Sequence, residues 1–102
     1  MDTITAEPTT VGEMLSEEFL KAQNLTQAEL AFAMGVSRKV IGQIINNTRR
    51  LSVSEACQLA VLFQTDETFW INLQADHDRW ESRNIIANSH FKPIHDLLIA
   101  AG

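Results

Sequence analysis

Residues 26–46 read TQAELAFAMGVSRKVIGQIIN, and this stretch decides the fold. Thr26 followed three residues later by Glu29 is a capping box. Its hydroxyl accepts from a free first-turn amide while the carboxylate reaches back to the cap's own N–H. The helix so opened runs to Met34, because Gly35 can take the left-handed backbone that ends a helix at little cost. Ser37 can cap a second helix from Arg38 to about Asn46, and Asn47 is the next-best residue after glycine to stop it. Two helices joined by so short a turn must cross steeply and need a small residue at the crossing. Ala31 supplies it, and Leu30, Val36, Ile41 and Ile44 lock the pair. This is a helix-turn-helix, whose second helix enters the major groove of DNA.

The flanking segments are helical too. Thr10-Val11-Gly12-Glu13 is a capping box, and Val11, Met14, Leu15 and Phe19 form a helical stripe up to a break at Asn24-Leu25. A further box, Ser52-Val53-Ser54-Glu55, opens a helix with Val53, Ala56, Cys57, Ala60 and Phe63 on one face. Thr65 is expected to cap the next helix, with Asp66 and Glu67 in a first turn that favours acids. Its stripe is Phe69, Trp70, Leu73, His77 and Trp80. Residues 82–91 are polar, and Pro93 fits N1 of a last short helix carrying Ile94, Leu97, Leu98 and Ala101. The expected architecture is all-α with five to six helices. It comprises a flexible arm over residues 1–9, a helix-turn-helix domain over 10–81, and an extension over 82–102 with a short helix.

Composition agrees with one small soluble domain. The chain has 102 residues, 45% hydrophobic and 21% charged, enough for a single core. No apolar run approaches the ~18 residues that cross a bilayer. Residues 1–10 carry two acids, no base and no apolar stretch, unlike a secretory signal. Cys57 is alone, which leaves no internal disulfide and no thiolate zinc site. The expected location is cytoplasmic.

The formal net charge of −5 hides an asymmetry. Between Glu29 and Glu55 there is no acid, while Arg38, Lys39, Arg49 and Arg50 bring that window to +4 and leave the rest at −9. Binding follows the local field, so a net-acidic chain can still present one basic face. With Ile41 and Ile44 turned inward, the opposite surface of the recognition helix carries Arg38, Lys39 and Gln43, with Val40 alongside. Arginine and lysine donate to guanine, glutamine pairs with adenine, and valine can touch a thymine methyl. Gln27, Ser37, Thr48, Arg49 and Arg50 are placed to hold phosphates. Gly42 costs its helix about 1 kcal/mol relative to alanine, and close backbone approach to a phosphate is one reason to keep it.

Catalysis finds little support. Asp76-His77-Asp78 puts an imidazole beside two carboxylates, but adjacent helical residues point apart. His90 and His95 lack a zinc-protease spacing, there is no glycine-rich phosphate loop, and Cys57 is placed on an apolar stripe where a thiol is usually inert. Neither metal nor cofactor is expected. One helix-turn-helix offers few base contacts, so useful specificity needs two about 34 Å apart. Trp70, Leu73, His77 and Trp80 are the expected dimer face, with Trp70 and Leu73 partly in the monomer core and the later pair, with the chain after it, the partner-facing part.

Leu25–Ala31 followed by Gly35-Val36-Ser37-Arg38 resembles the helix-turn-helix of the phage-repressor (Xre) superfamily, implying a lambda-repressor-like fold. Thr68-Phe69-Trp70-Ile71-Asn72-Leu73-Gln74, then Asp78, resembles the FWLNLQ…D signature of HigA-type antitoxins, the VapI or plasmid-maintenance antidote group. Val11–Leu15 is similar to that group's PGEIL opening. Two departures are Thr10-Val11 in place of His-Pro, and Asn47 where the group often has glycine. The resemblance implies an antitoxin of a type II system. Such a protein neutralises a HigB toxin, a small basic mRNA-cleaving enzyme of the RelE superfamily, and as a dimer represses its own operon by binding operator DNA. Glu13, Glu17 and Glu18 are the candidate acids for that toxin. The alternative is a stand-alone Xre-type repressor without a toxin partner.

Overall fold

The computed structural model describes residues 6–101, and the described chain is helical with no strand. α1 opens as an α-helix at Val11–Glu13 and winds on as a π-helix over Met14–Leu20. It is followed by α2 (Gln27–Met34), α3 (Arg38–Ile45), α4 (Val53–Phe63), α5 (Phe69–Ala87) and α6 (Ile94–Ala101). The π-winding was not foreseen. Its i→i+5 pattern matches the five-residue spacing of the buried Leu15 and Leu20.

The caps act as their residue types require. At both Thr26 and Ser52 the hydroxyl accepts from the third helical amide while a glutamate accepts from the cap's N–H, so both boxes close. At Thr10 only the first half forms. Gly35 takes φ 69° and Asn47 φ 59°, the left-handed stops expected of them.

Later in the chain several expectations fail. α5 starts at Phe69, not after Thr65. α4 ends on Gln64 in the left-handed region, and the Asp66 carboxylate accepts from the Thr68 amide at 3.2 Å, holding residues 65–68 in a turn. The polar stretch 82–91 is helical as far as Ala87, so the boundary expected at residue 81 falls inside α5. Pro93 stands just before α6, its carbonyl accepting from the Leu97 amide at 3.2 Å. That is a cap's role, not that of N1. The buried face of α4 is Glu55, Ala56, Leu59 and Ala60, leaving Val53 and Cys57 exposed.

The core is the helix-turn-helix plus the elements that brace it. Leu15, Ile41, Ile44, Leu59 and Trp70 are fully buried. Phe19, Phe63 and Phe69 ring Trp70, with centroid distances of 5.0, 6.4 and 5.1 Å. Trp70 therefore belongs to the interior of one chain and offers no surface to a partner, which removes it from the expected dimer face. Leu73 packs half-buried against the same core. Ile85, Ile86, Phe91, Ile94, Leu97, Leu98 and Ile99 lie open beyond it. The radius of gyration is 17.9 Å, against about 13 Å for a spherical chain of this length.

Candidate nucleic-acid interface

The recognition helix α3 is positioned by its own sequence. The Ser37 hydroxyl accepts from the Val40 amide at 3.3 Å and sets the first turn. Ile41 and Ile44 go into the core. That registration leaves Arg38 and Lys39 exposed at the helix head, with Gln43 one turn on from Lys39 and half-exposed. Val40 sits half-buried against the core, so it presents only an edge. Gln27, at the start of α2, lies across the same helix: a Cβ built on Gly42 would meet its Oε1 at 3.9 Å. That is ordinary contact, so packing within the chain does not require glycine at 42.

The other two cations are differently placed. Arg49 Nη2 is 2.7 Å from Glu55, and Arg50 makes a bidentate pair with Asp78, both bonds 2.7 Å. Burial pushes the Glu55 carboxyl up, but Arg49 and the Ser52 amide outweigh it and hold it below its ordinary value. Hydrogen bonding to Arg50 holds Asp78 down likewise. Half of the expected +4 is thus answered within the chain, and among the described residues Arg38 and Lys39 carry the uncompensated charge. Both arginines remain partly exposed, so they can still meet a phosphate by sharing or exchanging carboxylates. Thr48 lies just beyond α3, its hydroxyl donating back to the Gln43 carbonyl at 3.3 Å.

These geometries coincide with close likeness to known proteins. A helix-turn-helix family model matches residues 17–70. The chain is 40% identical over 77 residues to antitoxin HigA-1 of Vibrio cholerae, covering 76% of this chain and 72% of that protein. It is 42% identical over 84 residues to the Escherichia coli HTH-type transcriptional regulator YbaQ, covering 82% and 74%. The structure of Pseudomonas aeruginosa antitoxin HigA with the higBA promoter superposes with a TM-score of 0.71 at 29% identity, covering 85% of this chain and 98% of that one. The chain belongs to the Xre-type helix-turn-helix family.

Within that family frame, the FWxNLQ…D signature has a structural task that sequence reading did not foresee. Trp70 is the core's centre. The Gln74 amide brackets Leu51, accepting from its N–H at 2.8 Å and donating to its carbonyl at 3.1 Å. Asp78 holds Arg50. One helix face thereby pins the α3–α4 loop, and with it the C-terminal end of the recognition helix. The two departures from the family's usual residues touch each other. Asn47 Oδ1 accepts from the Gly12 amide at 3.0 Å and its Nδ2 donates to Thr10 Oγ1 at 3.0 Å. Gly12 itself is required: a Cβ there would lie 2.1 Å from the Ile45 carbonyl oxygen. None of these long-range pairs leaves a periodic trace in the sequence.

The remaining candidates scatter. Asp76 pairs with Arg79, His77 with Glu7 at 2.7 Å, and Asp78 with Arg50, so the three neighbours turn to three partners. His77 packs against Trp80 with tilted rings 5.3 Å apart, and Trp80 is half-buried. Glu7 belongs to the expected 1–9 arm, whose first five residues lie outside the described chain. On α1, Glu17 is engaged by Lys21 at 2.7 Å, and that hydrogen bond holds its carboxyl below the ordinary value. Glu13 and Glu18 are exposed.

Proposed function

We propose that this protein is a cytoplasmic antitoxin that binds operator DNA through α3, represses its own operon as a dimer, and neutralises a HigB-type mRNA-cleaving toxin. The observation that carries the DNA reading is the outward triad of exposed Arg38 and Lys39 and half-exposed Gln43, on a helix whose inner face is locked in the core. Ser37, Gln27 and Thr48 flank it as phosphate contacts, with Arg49 and Arg50 behind them. The relative solved with its promoter supports the same use of the scaffold. A folded Arg38/Lys39/Gln43 triple-alanine variant should lose operator affinity in a titration across salt concentrations. Undiminished affinity would remove α3 as the reading helix. A repressor without a toxin is the second reading, favoured by the 42% identity to a protein named only as a transcriptional regulator. Co-expressing the neighbouring small reading frame with and without this protein separates the two by growth.

In this reading the dimer face is His77 and Trp80 together with the tail of α5 and α6, not Trp70. Seven large apolar side chains there are between 50% and 77% exposed. At ~100–120 Å² for a fully open side chain, they leave about 500 Å² of apolar surface per copy. Two arms together cover about 1,000 Å², the threshold of a specific interface.

A further inference from the structure

The phosphate candidates Thr48, Arg49 and Arg50 are consecutive, and the chain is fixed on both sides of them. On one side Asn47, in the left-handed region, is tied to the start of α1 through Gly12 and Thr10. On the other side Leu51 is 7% exposed, and a backbone so buried must find partners for both its N–H and its carbonyl. No helix supplies them, since α3 ends at Ile45 and α4 begins at Val53. One side chain does, from 23 residues away: the Gln74 amide accepts at 2.8 Å and donates at 3.1 Å. Two bonds from one planar group fix the rotation of Leu51 as well as its place. Each residue between these posts has its own tie. The Thr48 amide and hydroxyl both donate to the Gln43 carbonyl. Arg49 pairs with Glu55, which the capping box of α4 holds in turn. The pair of Arg50 with Asp78 uses two of the five N–H groups of the guanidinium.

We infer that Gln74 is a positioning residue for DNA binding: its bracket on Leu51 holds residues 48–50 in the shape that meets the phosphate backbone, so the loop is ordered before DNA arrives. The inference rests on the DNA reading above and deepens it. A loose loop would spend part of its binding energy on ordering two long cations, a loss of about tenfold in affinity. The task needs a donor and an acceptor on one rigid group, which glutamine has. Glutamate only accepts, and asparagine is one methylene shorter. Phosphates carry no sequence information, so the influence of Gln74 falls on every duplex alike.

The test is a titration of the full chain with a duplex of its own promoter and with a scrambled duplex of equal length, well below the melting temperature of every variant. Gln74→Ala and the better-filling Gln74→Met should each bind both duplexes about tenfold more weakly, with dimer sedimentation unchanged. Gln74→Glu should do no better than Gln74→Met, because its carboxylate would face the Leu51 carbonyl. A role in stability alone would lower the melting temperature and leave the affinity of the folded protein as it was. Made in an Arg49→Ala/Arg50→Ala chain, Gln74→Met should cost no more than about twofold further, since the groups it positions are gone. Full affinity in folded Gln74→Met, a loss confined to the promoter duplex, or an undiminished loss in the double-alanine chain would each overturn the inference. The double-alanine chain also checks the reading underneath, because it should flatten the salt slope by about two units. An unchanged slope would take these arginines off the DNA and the positioning role with them. A flattened slope beside full affinity in Gln74→Met would overturn the positioning role alone.

Discussion

Ile41, Ile44, Leu59 and Trp70 are sealed inside the helix-turn-helix bundle, while Ile94, Leu97, Leu98 and Ile99 stand open on α6. The residue types are alike, and so is the hydrophobic gain each can make. What differs is the partner. In the bundle, steep crossings bring each apolar stripe against another stripe of the same chain. The arm follows a 19-residue α5, about 28 Å long, that carries it clear of any such surface. A helix pattern therefore predicts that a face will be covered but does not say by which chain.

The sharpest break of that contrast is Gly12→Ala. In the bundle every contact is internal, and the added Cβ would drive into the Ile45 carbonyl, forcing α1 off α3. A loss of roughly 3 kcal/mol is expected, read as a fall in the urea midpoint. A variant as stable as wild type would show that α1 is loosely seated.

Next comes the arm. Ile94→Asp with Leu98→Asp should shift sedimentation to the monomer and weaken operator binding by about tenfold or more, since one helix-turn-helix grips few bases. Monomer stability should move by no more than about 0.5 kcal/mol, as for surface changes. A large stability loss at low protein concentration would mean that the arm folds back on its own bundle.

Gly42→Ala sets packing against function inside the bundle. With 3.9 Å to Gln27, the methyl group has room, and the helix should gain about 1 kcal/mol. If operator affinity falls while the melting temperature rises, the glycine serves close approach of DNA backbone. Affinity that tracks wild type leaves it a tolerated weak residue.

The smallest effect concerns acid. Asp78 and Glu55 both titrate below their ordinary values in the folded state. Their contribution is fully present above the unfolded carboxylate range of about 4 and is lost as pH falls through the folded values. The melting temperature should therefore decline below about pH 4. The decline should be shallower in Asp78→Asn, because Arg50 then has no carboxylate to lose. An Asp78→Asn curve parallel to wild type would place the acid sensitivity elsewhere.

Local chemistry made much of this protein readable in one dimension. Thr26, Gly35, Ser37, Asn47 and Ser52 act on their own backbone within a few residues, so helix limits, the tight turn and the outward face of α3 all follow from short-range rules. The start of α5 was misplaced because Thr65 and Asp66 are both good caps by type, and the Asx turn at Asp66 wins by geometry. The ion pairs of Arg49 and Arg50 leave no local trace for a related reason: their carboxylates lie on α4 and α5, the latter 28 residues away. The same holds for Gln74 on Leu51, Gly12 against Ile45, and Asn47 with Thr10. Such pairs depend on how helices cross, and crossing is set by the packing of whole faces rather than by any local run of residues.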